Sequence, residues 1–193
     1  MANVSRVNGF RPVKHLNGSA YNGQFNKYFI PSTDNVAVFV GDIVKLAGSA
    51  SADGYPTVAQ AAAGNTGIGV VVGFEADPNA LNVPIYRPAS TNRVVYVADA
   101  PDLIFEAQED AVGGALTVAG VGLNVNFIVG AGSTSTGASG MQVDTSTALD
   151  TSTLPLQILG FVDRIDNEIG SANAKVLVRF NVHQYQSVGT TGV

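Results

Sequence analysis

The sequence predicts an all-β protein, a single β-barrel or sandwich-like domain with an extended N-terminal arm, and three observations carry that expectation. Residues 174–185 (AKVLVRFNVHQY) alternate: Ala174, Val176, Val178, Phe180 and Val182 share one face, and Lys175, Leu177, Arg179, Asn181 and His183 the other. Short apolar runs recur every ten to twenty residues or so, punctuated by Gly, Pro and Asn turn signals. No stretch sustains the 3.6-residue period of an amphipathic helix.

Residues 1–33 read as the arm. Asn8-Gly9, Asn17-Gly18 and Asn22-Gly23 are turn signals, and Pro12 and Pro31 interrupt regular structure. Phe10, Tyr21, Phe25, Tyr28 and Phe29 lie between them, and rings in such number forfeit free energy if left in water. The arm is therefore expected to lie against a surface, its own or a neighbour's. The β domain follows over 34–186. Residues 35–46 (NVAVFVGDIVKL) begin its core, with Gly41-Asp42 marking a bulge or corner. Residues 47–56 read as a loop, and 57–63 (TVAQAAA) as either strand or short turn. Residues 68–74 (IGVVVGF) have the continuous apolar character of a strand buried on both faces. Further strands are expected over 83–86, 93–98, 103–108, 115–118, 123–129 and 154–163, with a turn at Asp77-Pro78-Asn79. The Ser/Thr/Gly-rich residues 130–153 are expected to form a surface loop, mobile or ordered by a neighbouring subunit, with Met141 and Val143 placed to pin its middle. Residues 187–193 read as a C-terminal tail.

Composition narrows the function classes. The chain has no cysteine, so disulfides and thiolate metal sites are excluded. The N-terminus lacks the apolar stretch of a secretory signal, and no apolar run is long enough to span a membrane. Only 13% of residues are charged, roughly half the globular average, which suits a chain with much of its surface against other protein. The net charge of -5 hides an asymmetry. Residues 1–33 carry Arg6, Arg11, Lys14 and Lys27 and no acid, whereas 46–163 carry eleven acids against Arg87 and Arg93.

Catalytic signatures are thin. His15 and His183 accompany no nucleophile elbow, and there is no cysteine nucleophile. Asp99, Asp102, Glu106, Glu109 and Asp110 cluster in sequence, which admits a carboxylate-dependent glycan hydrolase or a hard-cation site, but they lack calcium-loop spacing. The pairs Gly67/Gly69 and Gly120/Gly122 lack the rest of a dinucleotide motif, and no G-K-[ST] occurs. Four cations in the arm are too few for a nucleic-acid face on a net acidic chain. The expectation is a protein that is not an enzyme and takes no cofactor, metal, nucleic acid or membrane.

Several stretches carry a resemblance: MANVSRVNGFRPVKHLNGSAYNGQ, FVGDIVKL, YRPASTNRVVYVADAPDLIFEAQ and VDRIDNEIGSANAKVLVRFNVHQY. Together they resemble the capsid decoration, or cement, proteins of tailed bacteriophages, from residue 1 to about 190. That resemblance implies a compact β protein on the outside of an icosahedral head, clamping adjacent capsomers. Its partners would be the major capsid protein and itself, as a homotrimer or a dimer, and its location the virion after synthesis in the host cytoplasm. Arg6, Phe10, Arg11, Lys14, Tyr21 and Phe25 would contact the capsid. Lys175, Leu177, Arg179 and His183 would face a subunit or the capsid. Another virion component, a head-fibre base or a tail accessory protein, is the alternative.

Overall fold

The computed structural model describes residues 3–77 and 82–186, and among these the regular structure is eleven strands and one 3-10 turn at Val118–Gly120. In chain order the strands are β1 (Arg11–His15), β2 (Asn26–Ile30), β3 (Ile43–Ala50), β4 (Pro56–Gln60), β5 (Gly69–Phe74), β6 (Arg93–Ala98), β7 (Leu103–Gln108), β8 (Asn124–Ile128), β9 (Gln142–Leu149), β10 (Leu156–Phe161) and β11 (Lys175–Phe180). Strands β2-β4-β3-β5-β6 close into a five-stranded barrel, in which only the β2–β4 pair is parallel. The other six form an antiparallel sheet in the order β1-β7-β11-β10-β8-β9. That sheet curls until β9 returns to the far end of β7, where Asp110 N–H donates to the Val143 carbonyl at 3.0 Å.

Two cores result, and one wall serves both. Tyr28, Ile30, Val44, Val58, Val71, Val95 and Val97 fill the barrel. Phe10, Phe105, Phe127, Met141, Leu156, Val176, Val178 and Phe180 fill the space inside the curled sheet, together with Ile43, Val70 and Ala98 from the barrel's outside. On β3, β5 and β6, therefore, adjacent residues (Ile43/Val44, Val70/Val71, Val97/Ala98) point into different cores, as the alternation of a strand requires. This explains the continuous apolar character of 68–74: its first half is a wall between two cores. The whole is a β-sandwich with one layer rolled into a barrel.

The structure bears out the all-β reading and most of the strands, and corrects several details. The N-terminal segment lies against a surface, the protein's own, but within the sheets and not as a separate arm: β1 is the outermost strand of the six-stranded sheet, β2 belongs to the barrel, and Phe10 is 1% exposed against Phe127. Pro12, which cannot donate to a ladder, sits in that edge strand. Residues 47–50 continue β3, so the expected loop shrinks to a tight connection where Ser51 N–H donates to Tyr55 O. Residues 57–60 are strand, not turn. Residues 83–86 and 115–118 form no strand; the second sits among glycines and ends in the 3-10 turn. Within 130–153, β9 takes up residues 142–149 of the expected loop, and Met141 and Val143 are fully buried anchors. Part of the 77–79 turn and the tail 187–193 lie outside the described residues.

Candidate functional site

The register of the curled sheet brings the cations of the two expected sets of interface residues, with Leu177, onto one surface. On the outer face Arg11 stands opposite Glu106, which stands opposite Leu177. In the next row Lys14 faces Ile104, Ile104 faces Arg179, and Arg179 faces Gln157. Lys175 faces Gln108, whose side-chain oxygen accepts the Arg6 N–H at 2.7 Å. Arg164 completes the group through Glu106 at 3.3 Å and Asp166 at 3.3 Å. Six of the chain's ten Lys and Arg thus gather on or beside this face, in a molecule of net charge -5.

The charges there are unevenly neutralised. Glu106 is shared by Arg164 and, at 3.8 Å, Lys175. Arg179 donates from Nε to Gln157 Oε1 at 2.9 Å. Arg6, Arg11 and Lys14 are exposed and form no ion pair among the described residues. Ile104, although on the outer face, is only 5% exposed, because the aliphatic stems of Lys14 and Arg179 flank it in the row. The face is a basic platform on which half-buried Leu177 is the accessible apolar residue.

Beside it runs a groove of about 690 Å³ between the curled sheet, the barrel and the N-terminal segment. Arg11 and Tyr21 line it from the N-terminal segment, Val40 and Val72 from the barrel side, and Ile85, Thr136 and Ala138 from the connections. A close crossing shapes one end: Gly9 and Gly41 both have positive φ, a Cβ on Gly9 would lie 2.5 Å from Gly41 O, and Phe10 N–H donates to that oxygen at 2.9 Å. Tyr21 donates its hydroxyl to Gln24 O at 2.9 Å. Phe25 lies away on the barrel, 45% exposed and stacked on Tyr96 at 4.3 Å.

Two expected interface residues are corrected. Phe10 is spent on the molecule's own core and offers nothing to a partner. His183 is 2% exposed. The alternation of β11 holds through Phe180, then the chain bends where the Asn181 and Val182 N–H groups both turn to the Pro155 carbonyl, so the faces exchange and His183 points inward. From there residues 181–185 cross to the barrel as a strap. Gln184 N–H donates to Gly67 O, Leu46 N–H donates to Gln184 Oε1 at 2.8 Å, and the Tyr185 hydroxyl lies 3.1 Å from that of Tyr28. Tyr185 N–H donates to His183 Nδ1 at 3.1 Å, which places the ring proton on Nε2. Nε2 is buried against the backbone of Ile68 and Asp99 without a well-directed hydrogen bond, and desolvation pushes the pKa down.

The acids clustered in sequence do not share a cleft. Asp99 accepts from Tyr28 Oη at 2.6 Å and from Asn26, which with burial pushes the phenol pKa up. Asp102 lies 3.1 Å from His15 Nδ1 on the β1 turn. Glu109 is fully buried and accepts from the backbone of Ala111, Leu116 and Ala174 and from Thr145 Oγ1 at 2.6 Å, tying four segments together. No three metal-ligating side chains converge among the described residues. Sequence reasoning also missed Arg87, which is wholly buried and donates to the carbonyls of Pro31, Asp34, Val36 and Thr91. No protein-family model matches the chain, and no curated protein or solved structure matches it.

Proposed function

We propose that this chain is a structural protein of a tailed-phage virion, bound to the outside of the icosahedral head, where it cements adjacent capsomers. The observation that supports this most is the basic platform: six cations on or beside one face of the curled sheet, around half-buried Leu177, in a net acidic chain. Such a surface favours an acidic protein partner, here the major capsid protein. Exposed cations raise the encounter rate and fix orientation more than they tighten the complex, while buried apolar contacts carry most of the affinity.

Assembly as a homotrimer, with a dimer as the alternative, belongs to the same proposal. The loops bearing exposed Val118, Ile165 and Ile169 meet where Gly170 N–H donates to Leu116 O, and they offer apolar surface for subunit contact. Joining three platforms makes later contacts with the shell effectively intramolecular, a gain of roughly 10²–10⁴ in avidity. The protein is made in the host cytoplasm, works mechanically, and uses neither cofactor nor catalysis.

The test is addition of wild-type chain and Lys175→Glu/Arg179→Glu to heads lacking this protein, with occupancy read by gel densitometry or cryo-EM. The expected result is near-full occupancy for the wild type and loss of most of it for the variant, with a steep salt dependence. Equal occupancy of the two, or no binding by the wild type, overturns the proposal.

A further inference from the structure

We infer that the groove beside the platform seats an extended segment of the shell protein, one that carries a large apolar side chain with a carboxylate close to it. This rests on the head-binding reading and names the contact that would hold the protein once the platform has steered it in.

The chemistry of the walls selects that occupant. The volume of about 690 Å³ lies in the range of sites that take several side chains at once. The lining is mostly apolar, with Tyr21, Val40, Val72 and Ile85 among it, and its one charged residue is Arg11, which has no ion pair among the described residues. A cationic rim above an apolar floor, with no acid in the lining, fits an apolar chain flanked by a carboxylate and disfavours a basic one. Ile85 stands at the lip 57% exposed, a large apolar side chain whose burial an occupant would complete.

Position supports the same partner. Arg11 belongs both to the groove and to the outer row with Glu106 and Leu177, so a segment leaving the groove over Arg11 passes directly onto the platform. The walls come from the curled sheet, the barrel and the loop around Thr136, so an occupant would bridge three parts of the fold. A clamp on the shell gains from such a seat, because pulling the segment out must break contacts with all three.

The experiment uses the full chain and heads lacking it. Ile85→Asp, at an exposed position, should melt like the wild type but lose about tenfold in apparent affinity for heads. Hydrogen exchange on head-bound wild type should show slowed exchange in 71–74 and 82–87 compared with the free protein. Both results together support the seat. Unslowed exchange at the groove, or unchanged affinity of Ile85→Asp, overturns it. If that happens while Lys175→Glu/Arg179→Glu still loses binding, the head-binding reading stands without the groove. If the wild type itself does not bind heads, that reading falls first.

Discussion

The barrel and the curled sheet use the same residue type for opposite purposes. In the barrel, most cations are engaged within the protein. Arg87 disappears into the fold to hold carbonyls of the 31–36 and 88–91 connections, Arg93 lies 5.7 Å from the Phe74 ring, and Lys27 pairs with Glu75 beside Tyr96. On the curled sheet they are displayed: Arg6, Arg11 and Lys14 are exposed, Arg164 and Lys175 share Glu106 (Arg164 also pairs with Asp166), and Arg179 donates to a side-chain amide. Displayed charge contributes little to folding, because exposed pairs are worth at most about 1 kcal/mol. The difference separates a unit whose polar groups stabilise the fold from one whose polar groups remain available to a partner.

Substitutions can break this contrast in order of effect. Phe180→Ala should be the most damaging, at about 3–5 kcal/mol, because its ring packs edge-on to Phe105 and His183 and against Gly67 in the core joining the two layers. Chemical denaturation would measure it, and a loss below about 1 kcal/mol would mean that the layers are not coupled through this ring. Arg87→Met should cost about 2–3 kcal/mol by leaving buried carbonyls without donors, and should loosen 31–36 first, as hydrogen exchange would show. Neutral stability for that variant would remove the barrel's half of the comparison.

Acid should act on the junction. The His183 pKa is depressed in the folded chain, so the unfolded state takes up the proton more readily. The stabilisation from neutral His183 is therefore complete above about pH 6.5 and is lost as pH falls from there towards the depressed folded value. Melting temperatures between pH 7 and 5 should fall for the wild type and fall less for His183→Gln, and parallel curves would show that the strap does not sense protons. The smallest effect on stability belongs to the platform. Lys175→Glu/Arg179→Glu should change folding free energy by no more than about 0.5–1 kcal/mol even as it removes head binding.

Legibility in the sequence divided along physical lines. Wherever a strand had one wet face, alternation showed it: Val176, Val178 and Phe180 are buried as read, and so are Val125 and Phe127. The alternation of β11 misled only beyond Phe180, where a bend at Asn181, set by hydrogen bonds to a distant carbonyl, exchanged the faces. β9 was hidden by a Ser/Thr/Gly composition that resembles a loop, although Met141, Val143 and the β-branched Thr145 and Thr147 were signals of it. Phe10 could not be told from a docking aromatic, since a ring buried in its own core and one buried in a neighbour's read alike in sequence. The platform itself was half legible. Both sets of cations were visible, but only the pairing of β1 and β11 on the two sides of β7 makes them one surface.

That pairing also dictates an order of assembly on the ribosome. The five barrel strands all lie between Asn26 and Ala98, although the barrel's outer wall of Ile43, Val70 and Ala98 is covered only by residues made later. β1, the first strand to emerge, pairs later: Arg11 must wait for Glu106, and β7 then waits for β11 near the end of the chain. The first strand thus pairs with one from the middle of the chain, which pairs with the last, at the entropic cost of closing long loops. A chain ending before β11 would leave β7 and β10 without their shared neighbour and the barrel's outer wall uncovered, and unpaired strand edges of that kind invite aggregation.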